Sequence, residues 1–195
     1  HKPCADGPQA PQTECKLKRH TMFSAKTYAA RRNMLRTKIG SGIILLPGNS
    51  LSPNNYPNNA YYFRQDSSFR YYFGLNTPSL AGLIDADTGE EALYGDDFTV
   101  EDIIWTGPQP TLRELGAKVG IAATHPLSEL EKRLRKAISL GRKIHFLPPY
   151  RGETKLWLSS LLGIKPTLLH DYKSVDLMFA VAEMREVKSA EEVAQ

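Results

Sequence analysis

The stretch Tyr61-Tyr62-Phe63-Arg64-Gln65-Asp66-Ser67-Ser68-Phe69-Arg70-Tyr71-Tyr72-Phe73-Gly74 is the feature around which the rest of the chain is organised. Seven of its fourteen residues are aromatic. From Ser67 the pattern alternates, with Phe69, Tyr71 and Phe73 on one face and Arg70 and Tyr72 on the other. Period two with aromatic enrichment predicts a β-strand half-buried against a core. Gly74 breaks it, and Asn76-Thr77-Pro78 makes a turn. Arg64, Gln65 and Asp66 stand at the strand's entrance. A guanidinium, an amide and a carboxylate beside bulky aromatics predict a polar network, and such a network has to be satisfied if it is buried.

Upstream, Ser24 is an N-cap candidate. Tyr28, Arg31, Arg32, Leu35 and Ile39 follow at helical spacing until Gly40. Ile43–Leu46 reads as a buried strand, and residues 52–59 as a loop rich in Asn and Pro. Downstream, Leu80–Asp85 and Glu91–Tyr94 flank Asp87-Thr88-Gly89 as a β-hairpin. Thr99 caps a short helical turn carrying Ile103, Ile104 and Trp105. Leu112–Leu115 is a short helix, Lys118–Ala122 a strand, and Pro126–Leu140 an amphipathic helix. Ile144–Leu147 is a strand, Thr154–Leu162 a helix, Thr167–His170 a short last strand, and Val175–Glu186 a long helix. Strands and helices alternate after the hairpin. The expected fold is therefore α/β, a mixed sheet with helices on both faces.

A chain of 195 residues allows one domain with a substantial core. The first 21 residues differ from the rest. They are rich in Pro, Gln and Lys, hold both cysteines, Cys4 and Cys15, and show neither structural period. We read residues 1–21 as a disordered or appended leader, 22–186 as the folded domain, and 187–195 as the start of a linker and helix. Ser189-Ala190-Glu191-Glu192 is a capping-box pattern that announces that helix. The net charge is +4, about half of it from the leader, which is too balanced to argue for a nucleic-acid partner. No apolar run approaches the roughly 20 residues of a membrane span. A globular part without cysteine suits a cytoplasmic protein.

Candidate chemistry is sparse. His1, His20, His125, His145 and His170 have no metal-ligand spacing, so no metal and no catalytic residue is expected in this chain. His145 reads as a structural histidine on a strand. Asp85, Asp87, Asp96, Asp97, Glu101 and Asp102 form an acidic cluster. Carboxylates on adjacent strands can hold Mg²⁺ for phosphoryl transfer, which would make the chain a ribonuclease-H-like nuclease. The preferred reading is turn chemistry at Asp85 and Asp87, and helix-start electrostatics at Asp96 and Asp97. Trp105, followed by Pro108 and Pro110, would ordinarily be a buried anchor.

Four motifs in order carry a resemblance: Arg31-Arg32-x-x-Leu35; Phe63-Arg64-Gln65-Asp66-Ser67 with Phe69-x-Tyr71-x-Phe73-Gly74-Leu75; Glu101-Asp102-Ile103-Ile104-Trp105-Thr106-Gly107; and Glu183-Met184-Arg185-x-x-Lys188-Ser189-x-x-Glu192. Together they resemble the aminopeptidase P N-terminal domain, of the creatinase and prolidase superfamily. The resemblance implies a ribonuclease-H-like mixed sheet of about six strands with helices on both faces. It also implies a parent Xaa-Pro aminopeptidase, cleaving the N-terminal residue that precedes proline. The parent's dinuclear manganese centre would lie in a C-terminal catalytic domain. The implied partners are that catalytic domain, further copies in a dimer or tetramer, and a peptide with proline second. By the same resemblance, Trp105 would reach the rim of a neighbouring subunit's substrate pocket. A stand-alone interaction module of the same fold is the alternative.

Overall fold

The computed structural model describes residues 23–56 and 59–194. The leader expected over residues 1–21, with both cysteines, lies outside the described residues.

The first helix, α1 (Ala25–Ile39), starts where Ser24 Oγ accepts from Thr27 N and ends at Gly40, whose φ is 78°. Strand β1 (Ile43–Pro47) follows, an interior strand of the sheet. Ile43, Ile44, Leu45 and Leu46 are all buried. Such a continuous apolar run belongs to a strand covered on both faces.

The aromatic stretch is a helix, not the expected strand: α2 spans Ser67–Phe73. Two end signals override the period-two pattern. Asp66 is the N-cap, its carboxylate accepting from Ser68 N and Phe69 N, both at 2.9 Å. Gly74 closes the other end in the left-handed region at φ 64°. Phe69, Tyr72 and Phe73, at i, i+3 and i+4, are all buried, and the Phe69 and Phe73 rings stack at 5.1 Å.

Strands β2 (Ala81–Asp85) and β3 (Glu91–Tyr94) form the expected hairpin. Helices α3 (Val100–Thr106) and α4 (Leu112–Lys118) then lead to β4 (Ala123–His125). The strand expected at Lys118–Ala122 therefore begins later. Lys118 still belongs to α4, and Gly120 turns the chain at φ 75°. Helix α5 (Leu127–Ser139), strand β5 (Ile144–His145), helices α6 (Gly152–Leu162) and α7 (Val175–Glu186), and the short α8 (Ala190–Val193) complete the order. Residues 167–170 form turns, not a strand.

The sheet thus has five strands among the described residues, in the order β4-β3-β2-β1-β5. The β1–β2 and β2–β3 pairs are antiparallel, while β1–β5 and β3–β4 are parallel. Alternation along β1 divides the core. Ile44 and Leu46 pack with Tyr28, Leu35, Phe69, Phe73 and Leu177, from α1, α2 and α7. Ile43 and Leu45 pack with Leu130, Leu134 and Leu158, from α5 and α6. Helices cover both faces, as the fold class required.

Arg32 is fully buried inside the first layer. Its Nε donates to Glu91 at 2.7 Å, Nη1 to the Tyr72 carbonyl at 3.1 Å and Nη2 to the Val119 carbonyl at 3.0 Å. One guanidinium therefore ties α1 to α2, β3 and the end of α4, and satisfies two carbonyls that helix ends leave open.

Candidate functional site

Trp105 is 82% exposed, so the buried-anchor expectation is wrong. It sits on α3, a helix with no buried residue. Its neighbours Val100 and Ile104 are exposed as well, and Phe98 and Ile103 partly so. What holds α3 is its own end chemistry. Thr99 Oγ1 accepts from Asp102 N, and the Asp102 carboxylate accepts from Thr99 N at 2.9 Å. The Thr99 hydroxyl, which donates to the Asp102 carboxylate at 2.6 Å, and then the Thr99 N–H hold that carboxyl below the ordinary range. Gly107 ends the helix at φ 74°. Burying each such side chain is worth about 1.5–3 kcal/mol, so a helix that leaves them in water is a surface with unspent binding capacity.

The acidic cluster does not converge on a metal. Among the described residues, no group of three or more His, Cys, Asp or Glu side chains could hold an ion. Asp85 is buried and its oxygens are taken. Arg142 donates to both of them, at 2.9 and 2.6 Å, Arg133 to one at 3.2 Å, and the Asp87 and Thr88 backbone N–H groups to the other. Burial alone would raise the Asp85 pKa; the Arg142 and backbone bonds outweigh it, and the net shift is downward. Asp87 also accepts from Arg142. Asp96 accepts from Leu127 N and Asp97 from Leu112 N, so they cap α5 and α4. The helix-start reading was right in kind, although these are not the starts nearest in sequence.

Two of the described histidines, His145 and His125, are engaged in other ways. His145 is buried, with Nδ1 2.6 Å from Ser174 Oγ and Nε2 3.1 Å from the Ser41 carbonyl. That carbonyl can only accept, so Nε2 carries the proton and Nδ1 accepts from Ser174. Burial, reinforced by Lys143, lowers its pKa. His125 lies 3.4 Å from Glu129, one turn away. A dinuclear metal centre needs convergent carboxylates and an imidazole. The described residues offer no such set.

The polar network expected at Arg64-Gln65-Asp66 exists, but its hub is Gln65. Gln65 Oε1 accepts from Asn49 N and Asp66 N, and Nε2 donates to the Thr77 carbonyl. Asn49 in turn donates to the Arg64 carbonyl and to Tyr150 Oη. The Arg64 side chain is exposed. Beside this network, where parallel β1 and β5 end, lies a cleft of about 510 Å³. Pro47, Leu147, Tyr150, Val181 and Arg185 are among the residues that line it.

Sequence reasoning named Gln65 and Arg32 but not the part each plays as the centre of a buried network. Arg32 had a readable signal, because Tyr28, Arg32 and Leu35 fall at i, i+4 and i+7 on the stripe that faces the core. The role of Gln65 had none, since its distant partners, Asn49 and Thr77, lie on two other segments.

Fold and surface together define a three-layer α/β domain that presents an exposed apolar helix and a cleft at the sheet's edge. The chain belongs to the family described as aminopeptidase P, N-terminal domain, whose pattern matches residues 28–158. It is 24% identical, over 149 residues, to a probable Xaa-Pro aminopeptidase of Aspergillus flavus, covering 76% of this chain and 26% of that protein. The low-pH form of E. coli aminopeptidase P has the same fold, with a TM-score of 0.70 and 21% identity over 88% of this chain and 41% of that one. The zinc-substituted E. coli enzyme in complex with product gives a TM-score of 0.71, with the same identity and coverage. The chain therefore spans less than half the length of these relatives. Among the described residues no helix is long and apolar enough to cross a membrane.

Proposed function

We propose that this chain is the non-catalytic N-terminal domain of a metal-dependent Xaa-Pro aminopeptidase, with a role in subunit association and in access to the active site. Family membership supports it, as does the name of the fungal relative. The observation that carries the access role is Trp105, 82% exposed on a helix that buries nothing in its own domain. An aromatic presented in this way suits the rim of a pocket for a short peptide. Proline's tertiary amide and fixed φ make the bond before it awkward for general peptidases, so a shaped entrance is expected. The catalytic metal, of manganese type, would sit in a C-terminal domain and activate water there. The protein would act in the cytoplasm as a dimer or tetramer.

The test is kinetic. In the full product of the gene, Trp105→Ala should lower kcat/KM for an Xaa-Pro peptide by about tenfold, on the order of 1.4 kcal/mol. The melting temperature should hold, because Trp105 supports no core. Unchanged kcat/KM would overturn the rim role.

A further inference from the structure

Three of the four sequence motifs meet at one place. Arg31 of the first lies over the Tyr71 ring of the second, 4.1 Å from its centroid, and over the Phe23 ring at 4.3 Å. Its Nη1 donates to the Tyr71 carbonyl at 3.1 Å. Its Nη2 makes no hydrogen bond and instead faces Glu192 Oε1 of the last motif at 3.3 Å. Arg185, also of the last motif, lies 5.5 Å from the Tyr71 ring centroid, and Tyr71 Oη donates to the Met184 carbonyl. The motif that holds Trp105 contributes nothing here.

Glu192 serves two structures at once. Its Oε2 accepts from Ser189 N at 2.9 Å, completing the capping box of α8, while Oε1 faces Arg31. The adjacent Glu191 accepts from Thr27 Oγ1 at 3.0 Å. Two neighbouring carboxylates thus pin the first turn of a four-residue helix to α1. A helix that short does not hold itself together in water, and α8 buries no residue. Its capping box closes the first turn, as at α3, and the contacts with α1 set where that turn lies on the domain. The Arg31–Glu192 pair is mostly shielded, with side-chain exposures of 9% and 14%, so solvent screens it less than an open surface pair.

We propose that residues 187–194 are a fixed strap, clasped by Arg31 and Glu192, that holds α8 in one orientation on the domain instead of acting as a free tether. Both halves of the clasp are residues of this chain, so it does not depend on the proposed aminopeptidase role.

Spin labels test it on the whole 195-residue chain. One label sits at Val193 and one on exposed Lys136 of α5 (V193C and K136C), with C4S and C15S removing the native thiols. The strap predicts one narrow distance distribution a few ångströms wide. A free tether of seven residues would spread over about 15 Å, from roughly 5–6 Å × √7. E192Q and R31M should each broaden the distribution towards that value. E183Q, which removes the Lys38–Glu183 pair between α1 and α7 at 2.8 Å, should leave it narrow. If R31M does not fold, E192Q decides, since Glu192 lies outside the core clusters. A broad distribution in the native chain, or a narrow one in E192Q, overturns the proposal.

Discussion

The Phe73 ring occupies the space that a side chain at Gly82 would need. A β-carbon at residue 82 would lie 2.0 Å from Phe73 Cζ. The aromatic helix α2 and the central strand β2 therefore meet ring against bare backbone. Gly82→Ala should cost about 1–3 kcal/mol by overpacking. Phe73→Leu placed on top should recover part of that loss, which urea denaturation of the two variants and their combination would read. A Gly82→Ala chain as stable as the native one would show that the ring can simply move aside.

Arg32 makes a second prediction. Arg32→Met strands the Glu91 carboxylate and the Tyr72 and Val119 carbonyls around a buried thioether. Breaking a buried charged network costs about 3–5 kcal/mol. The exposed i,i+4 pair Arg135–Glu131 is the control, since Arg135→Met should cost less than about 1 kcal/mol. Equal losses in the two variants would deny Arg32 its role.

The cap on α2 is tested by Asp66→Ala. It removes two hydrogen bonds to the first turn and should cost about 1 kcal/mol, whereas Asp66→Asn should be near neutral. Amide exchange at Ser68 and Phe69 reports the change locally. Unchanged protection in Asp66→Ala would place the stability of α2 wholly in its packing.

His145 gives a pH dependence. Its folded pKa is lowered, by burial first and by Lys143 second, against opposing effects of the Ser41 carbonyl and Asp176. The folded state therefore binds the proton less readily than the unfolded chain, whose histidine titrates near 6.5. The stability His145 contributes is complete above about pH 6.5, falls as the pH drops through the folded value, and levels off below it. His145→Gln should remove that slope. Asp85, also lowered, loses its contribution only further into acid, so the two are separable by denaturation at stepped pH. A native slope that survives in His145→Gln would assign it to other groups.

What the sequence made legible follows from where each signal resides. The β1 run, the β2–β3 hairpin, α5 and α7 carry their period within one segment, and the structure bears them out. The aromatic stretch misled because Phe69-x-Tyr71-x-Phe73 satisfies period two, while Phe69, Tyr72 and Phe73 satisfy the helical period equally well. Asp66 before it and Gly74 after it were the deciding evidence, since an N-cap and a left-handed glycine bracket a helix and not a strand. The Thr167–His170 strand failed for another reason. Its short apolar run feeds Leu169 into the α5–α6 layer from a turn, without pairing to the sheet. Trp105 was singled out in the sequence but misjudged in burial, because the ordinary fate of tryptophan says nothing about a helix that buries none of its side chains. The Arg31–Glu192 contact joins residues at opposite ends of the domain. No local pattern predicts it, although both residues had been marked as motif positions.

The most direct test of the account is hydrolysis of an Xaa-Pro tripeptide with Mn²⁺ supplied, by this chain alone and by the full product of its gene. The account predicts release of the first residue by the full product and none by the chain alone. Turnover by the purified 195-residue chain, or none by the full product, would contradict it.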